Sequence, residues 1–123
     1  MRDETRKWLE IADGDFTVAE DLLATGHFSY VAVSCQQSLE KTINALIVED
    51  SGELQPRTHD LLRLAALLGI DCPDKWEQLL ADLTALCLGL HSPDRHAPPL
   101  SEAEAPELLS ATGEVRQWLQ SRL

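Results

Sequence analysis

The sequence predicts an all-α fold, an antiparallel up-and-down bundle of four to five helices, in a single domain over residues 1–123. Three observations lead there. Apolar residues recur at helical spacing almost everywhere, no stretch alternates as a half-buried strand would, and turn-forming residues fall between the periodic segments. Helix 1 is expected over residues 3–24, with Trp8, Ile11, Ala12, Phe16, Ala19, Leu22 and Leu23 on one side and Gly26 as its stop. Helix 2 runs from Phe28 to Glu49 and ends before SGELQP. Helix 3 starts near Thr58, read as its N-cap, and carries Leu61, Leu62, Leu64, Ala65 and Leu68 to Gly69. Helix 4 follows Pro73-Asp74 with Trp76, Leu79, Leu80, Leu83 and Leu86. Three prolines make HSPDRHAPPL, residues 91–100, a loop. Ser101 and Glu104 have capping-box spacing for helix 5, which presents Leu108, Ala111, Val115, Trp118, Leu119 and Leu123. Pro106, one turn in, delays or bends its start.

Composition narrows the function. Apolar residues are 44% and charged residues 25%, ordinary for a globular chain of 123 residues. Twenty-one acids against ten bases leave a formal charge of −11, a field that repels phosphate backbones and disfavours direct nucleic-acid binding. Cys35, Cys72 and Cys87 are odd in number and form no CxxC pair, which reads as buried thiols in a reducing cytoplasm. MRDETRKWLE has no apolar core of a signal peptide, and the longest apolar runs fall short of a membrane span. The expected location is the cytoplasm. Cys87, His91, Asp94 and His96 are metal-ligand types, but Cys87 faces the expected core of helix 4, so no metal and no cofactor is expected.

Helix 2 poses the chemical question. Ala32, Cys35, Leu39, Ile43, Leu46 and Ile47 share one side at 100° per residue. Gln37, Glu40, Lys41 and Asn44 share the opposite stripe, Gln36 lies at the edge, and Tyr30, Val33 and Val48 sit among them. A solvated face seldom mixes an aromatic and two valines with its charges. The stripe therefore reads as a semi-buried surface, either a polar network between helices or a subunit interface formed by Tyr30, Val33, Gln37 and Asn44. Asp15 falls within the apolar stripe of helix 1 and needs a partner there, with Lys41, His59 and Arg95 as candidates. The expected structural network comprises Asp15, Gln36, Gln37, Glu40, Lys41 and Asp60. No Gly-rich phosphate cradle occurs. If a nucleotide binds, Lys41, His59 and Arg95 are the expected contacts, near a helix 3 N-terminus that favours anions.

The order DFTVAEDLLATGHFSYVAVSCQQSLEKTINALI, THDLLRL, DRHAPP resembles the HEPN domain across nearly the whole chain. Asp15, Gly26, Phe28, Gln36, Gln37, Glu40, Lys41, His59, Asp60 and Arg95 match its pattern of QQ-x-x-EK followed by HDL and a loop arginine. Asn44 departs from a frequent lysine, and His96 replaces the tyrosine after the loop arginine, with proline displaced to Pro98. The resemblance implies a helical bundle, commonly a homodimer, that partners a minimal nucleotidyltransferase-like protein, in some cases as a toxin–antitoxin pair, with nucleotide binding proposed for the family. It also raises a rival, since several branches are metal-independent ribonucleases carrying Arg-x(4–6)-His. Here no arginine precedes a histidine at that spacing, so no catalytic residue is expected. The alternatives are a degenerate endoribonuclease using Arg95 and His96, and a purely structural homodimer.

Overall fold

A computed structural model describes residues 1–52, 58–90 and 100–123. Among them lie five helices and no strand: α1 (Asp3–Ala24), α2 (Phe28–Ser51), α3 (Leu61–Leu67), α4 (Asp74–Leu90) and α5 (Glu104–Gln120). The architecture is an all-α bundle. None of these helices is long and apolar enough to cross a membrane.

Helix ends follow local chemistry. After α1, Gly26 takes φ +80, His27 N–H donates to Leu22 O at 2.9 Å and Gly26 N–H to Leu23 O at 3.2 Å. That double bond pattern satisfies orphaned carbonyls and reverses the chain. Gly52, also at φ +80, ends α2, and a Cβ there would meet Arg2 Nη1 at 3.2 Å. Two starts differ from expectation. Helix 3 begins at Leu61 with Asp60, not Thr58, as its N-cap, because the Asp60 carboxylate accepts from Leu62 and Arg63 N–H. Thr58 Oγ1 instead accepts from Asp60 N–H at 3.2 Å. At α5 the Ser101–Glu104 capping box is complete, with Glu104 N–H donating to Ser101 Oγ at 3.1 Å and Ser101 N–H to Glu104 Oε1 at 3.2 Å. Regular helix nonetheless begins only at Glu104, which leaves Pro106 in the first turn, where a missing N–H costs least.

Helix α2 is the axis of the bundle, touching α1, α3, α4 and α5. Leu39 and Ile43 of α2, Leu61 and Leu64 of α3, Leu83 of α4 and Val115 of α5 are fully enclosed in one core. Each large aliphatic side chain so buried stabilises the fold by about 1.5–3 kcal/mol. Helix α1 runs antiparallel to α2, since Thr5 Oγ1 donates to Glu49 Oε1 at 3.0 Å and Ser38 Oγ to Ala12 O at 2.8 Å. Its buried residues, Thr5, Ala12 and Ala19, are small and seven apart, so the two backbones approach closely. Ile11, expected in the core, is 47% exposed because it lies off that seam. Helix α5 runs in the direction of α2: Leu100 N–H donates to Ser29 Oγ near one end, and the Thr112 side chain neighbours Cys35 further on.

Candidate functional site

The polar residues of α2 are drawn into the molecule because this helix has neighbours on every side. Gln36 is fully buried and Glu40 and Asn44 nearly so, while Gln37, Lys41 and Val33 are half-buried and Tyr30 is exposed. Consecutive side chains form a relay. Gln36 Nε2 donates to the His59 carbonyl at 2.8 Å, Gln37 Nε2 to Gln36 Oε1 at 2.7 Å, and Lys41 Nζ to Gln37 Oε1 at 3.1 Å. Glu40 Oε1 lies 2.5 Å from His59 Nδ1, and its Oε2 is 3.6 Å from Lys41 Nζ. Among the described residues, that buried Oε2 has no hydrogen-bond donor. A carboxylate so enclosed, its side chain 5% exposed, is tolerable only with cationic or hydrogen-bonding partners, and Lys41 and His59 supply them.

Asp15 reaches the same region from α1. Burial pushes its carboxyl above the usual aspartate value, Lys41 pulls it down, and Glu40 pushes it up again. The Cys87 thiol of α4 is raised first by burial and then by the Glu40 charge. The site therefore gathers α1, α2, His59 just ahead of the α3 N-cap, and α4. Asp60 belongs to a different device. With its carboxylate capping α3 and Leu61 N–H donating to Thr84 Oγ1 at 3.2 Å, the first-turn donors are taken. The anion affinity expected of that helix start is thus occupied by the protein's own carboxylate. Asn44, expected at an interface, is enclosed within its own chain at 8% exposure. Arg95 and His96, and with them the rival nuclease pair, lie outside the described residues, as do His91 and Asp94.

Sequence reasoning missed a second polar contact. Where α5 packs on α1, Arg116 of α5 pairs with Asp13 and stacks its guanidinium 4.6 Å from the centre of the Phe16 ring. Residues 103 apart in sequence leave no local signal for it. The buried hydroxyls of Ser38, Thr42 and Thr112 were also not anticipated. Thr42 and Thr112 satisfy themselves on the carbonyl four residues back, each at 2.8 Å, so helical geometry alone hides them.

This topology and site bear comparison with known proteins. The HEPN domain model matches residues 5–122. The chain belongs to the HEPN family. The crystal structure of TT1696 from Thermus thermophilus superposes with a TM-score of 0.87 at 24% identity, covering 99% of this chain and 100% of that one. ST0689, an archaeal HEPN homologue, gives 0.76 at 18% identity, with 99% and 98% covered. At these identities the likeness speaks for the fold of this HEPN protein. No curated protein matches the chain.

Proposed function

We propose that this HEPN protein is a non-catalytic, cytoplasmic binding component that forms a homodimer, partners a nucleotidyltransferase-like protein in a two-component system of toxin–antitoxin type, and takes a nucleotide phosphate at Lys41 and His59, with Arg95 as a third contact. One observation supports the ligand reading above the others: a buried carboxylate, Glu40, holds two groups able to carry positive charge, and the His59 side chain opens to solvent at 77% exposure. A phosphate could displace neither partner from Glu40 cheaply, so it would add to the outer face of the pair. Half-buried Val33 and Gln37 with exposed Tyr30 supply a mixed surface suited to self-association. The −11 formal charge argues against nucleic acid as the ligand and against the nuclease alternative.

Titration calorimetry with ATP and GTP tests the ligand reading. Saturable binding weakened about tenfold by Lys41→Ala supports it, and absence of heat with every nucleoside triphosphate ends it. Co-expression with the nucleotidyltransferase-like protein of the same organism should give a stable complex on gel filtration. RNA cleavage abolished by His96→Ala would replace this reading by the endoribonuclease.

A further inference from the structure

Two buried side chains of α2, one turn apart, both reach a single exposed residue. Gln36, fully enclosed, holds the His59 carbonyl, and Glu40 holds its Nδ1 at 2.5 Å, while the His59 side chain stays 77% exposed. Burying an amide and a carboxylate has a free-energy cost that a freely solvated surface histidine would not require. In the neutral ring, pairing with a carboxylate, which only accepts hydrogen bonds, selects the tautomer with the hydrogen on Nδ1 and the lone pair on Nε2. Nε2 lies across the ring from Glu40, and among the described residues it has no hydrogen-bond partner. Tautomer, ring orientation and backbone are thus all fixed behind an open nucleophilic nitrogen. Metal ligation is a poor use for it, because among the described residues no three His, Cys, Asp or Glu side chains converge. An exposed imidazole is instead suited to a small group delivered from solvent.

We propose that His59 is a phosphoryl acceptor, its Nε2 taking the phosphoryl group from a phosphoramidate or acyl-phosphate donor. The Nε2 lone pair attacks phosphorus and forms the N–P bond. The donor's P–N or P–O bond breaks, and its electron pair departs with the amine or carboxylate. The Nδ1 hydrogen stays in place, and the positive charge that develops on the ring is balanced by Glu40, which needs no rearrangement to meet it. Lys41, 3.6 Å from the other Glu40 oxygen, keeps the surroundings from being wholly anionic as the donor approaches. This covalent step is independent of reversible nucleotide binding, and either can fail without the other.

The test is labelling of the full chain with potassium phosphoramidate, followed by peptide mapping under alkaline conditions that preserve phosphohistidine. His27, also exposed and without a side-chain hydrogen bond at the α2 start, is the internal control. Labelling of His59 should exceed that of His27 by about tenfold or more, and Glu40→Gln should lower the His59 rate by a similar factor. His59→Gln should remove that peptide's label and leave the His27 rate unchanged. Equal rates at the two histidines, or no label at His59, would overturn the proposal. So would a folded Glu40→Gln protein, judged by circular dichroism, with an undiminished His59 rate. If that variant does not fold, the comparison of His59 with His27 decides alone.

Discussion

Helices α1 and α2 are nearly equal in length and lie side by side, yet they are buried in different ways. Helix α1 encloses only Thr5, Ala12 and Ala19, a seam of small residues seven apart. Helix α2 encloses more than half of its residues, polar ones included. The difference comes from the number of neighbours. Helix α1 lies chiefly against α2, with a lighter contact to α5, whereas α2 is surrounded by all four other helices. An outer helix can follow the rule of one apolar stripe and one wet stripe. A central helix cannot, and each polar group it retains must find a partner inside. The polar insert of α2 is thus a consequence of centrality, and its partners become the site.

The contrast can be broken most sharply in the core. Leu39→Ala in α2 should cost about 2–5 kcal/mol, because its enclosed site can collapse only in part. Ile11→Ala on the outside of α1 should stay within about 0.5 kcal/mol. Chemical denaturation of the two variants measures the gap, and equal costs would dismiss the central-axis picture. The seam gives the next effect. Ala12→Leu would push α1 away from Ser38, whose hydroxyl now bonds the Ala12 carbonyl at 2.8 Å, and should cost about 1–3 kcal/mol. If its thermal midpoint is unchanged, the close approach of α1 and α2 is not a requirement.

Smaller effects sharpen the comparison at the ends. Asp60→Ala removes two acceptor contacts from α3 and should cost about 1 kcal/mol in urea unfolding. It should leave the His59–Glu40 contact intact, which the histidine ring resonances would report. The smallest effect depends on pH. The Asp15 carboxyl is raised, chiefly by burial, so the folded chain holds its proton more tightly than the unfolded chain. Its favourable contribution is complete below the ordinary aspartate value of 3.8 and is lost as pH rises through the raised value. Asp15→Asn should therefore be more stable than the parent at pH 7, by about 0.5 kcal/mol or less. The advantage should vanish on acidification. Glu49 works in the opposite sense: the Arg2 backbone N–H and the Thr5 hydroxyl hold its carboxyl low, so its contribution is present above the ordinary glutamate value of 4.5 and fades as pH falls. As pH rises from strong acid to neutrality, the urea midpoints of Asp15→Asn and Glu49→Gln should depart from the parent in opposite directions, the first upward and the second downward.

The fold was legible to a large extent, for local reasons. Apolar period, the Gly26 stop and the Ser101–Glu104 box are short-range signals, and each marks an element that exists. The start of α3 was misread because Thr58 and Asp60 are both good caps, and only the direction of the Asp60 side chain separates them. Around the candidate site, Gln36, Gln37, Glu40, Lys41 and His59 stood out by residue type and order. The pairing of Glu40 with His59 did not, because it joins residues 19 apart in the chain that share no helix. The Asp13–Arg116 pair over Phe16 was invisible for the same reason at longer range.

By itself, the sequence determined that the chain is helical, where most of its helices stop, and to which family it belongs, because dihedral preference, capping and residue order act within a few turns of helix. Only the tertiary structure decided which helix would stand in the middle, that the helix 3 start would be closed by Asp60, and that a buried carboxylate would hold an exposed histidine. Periodicity fixes which residues share a face, but what covers that face depends on contacts between segments far apart in the chain.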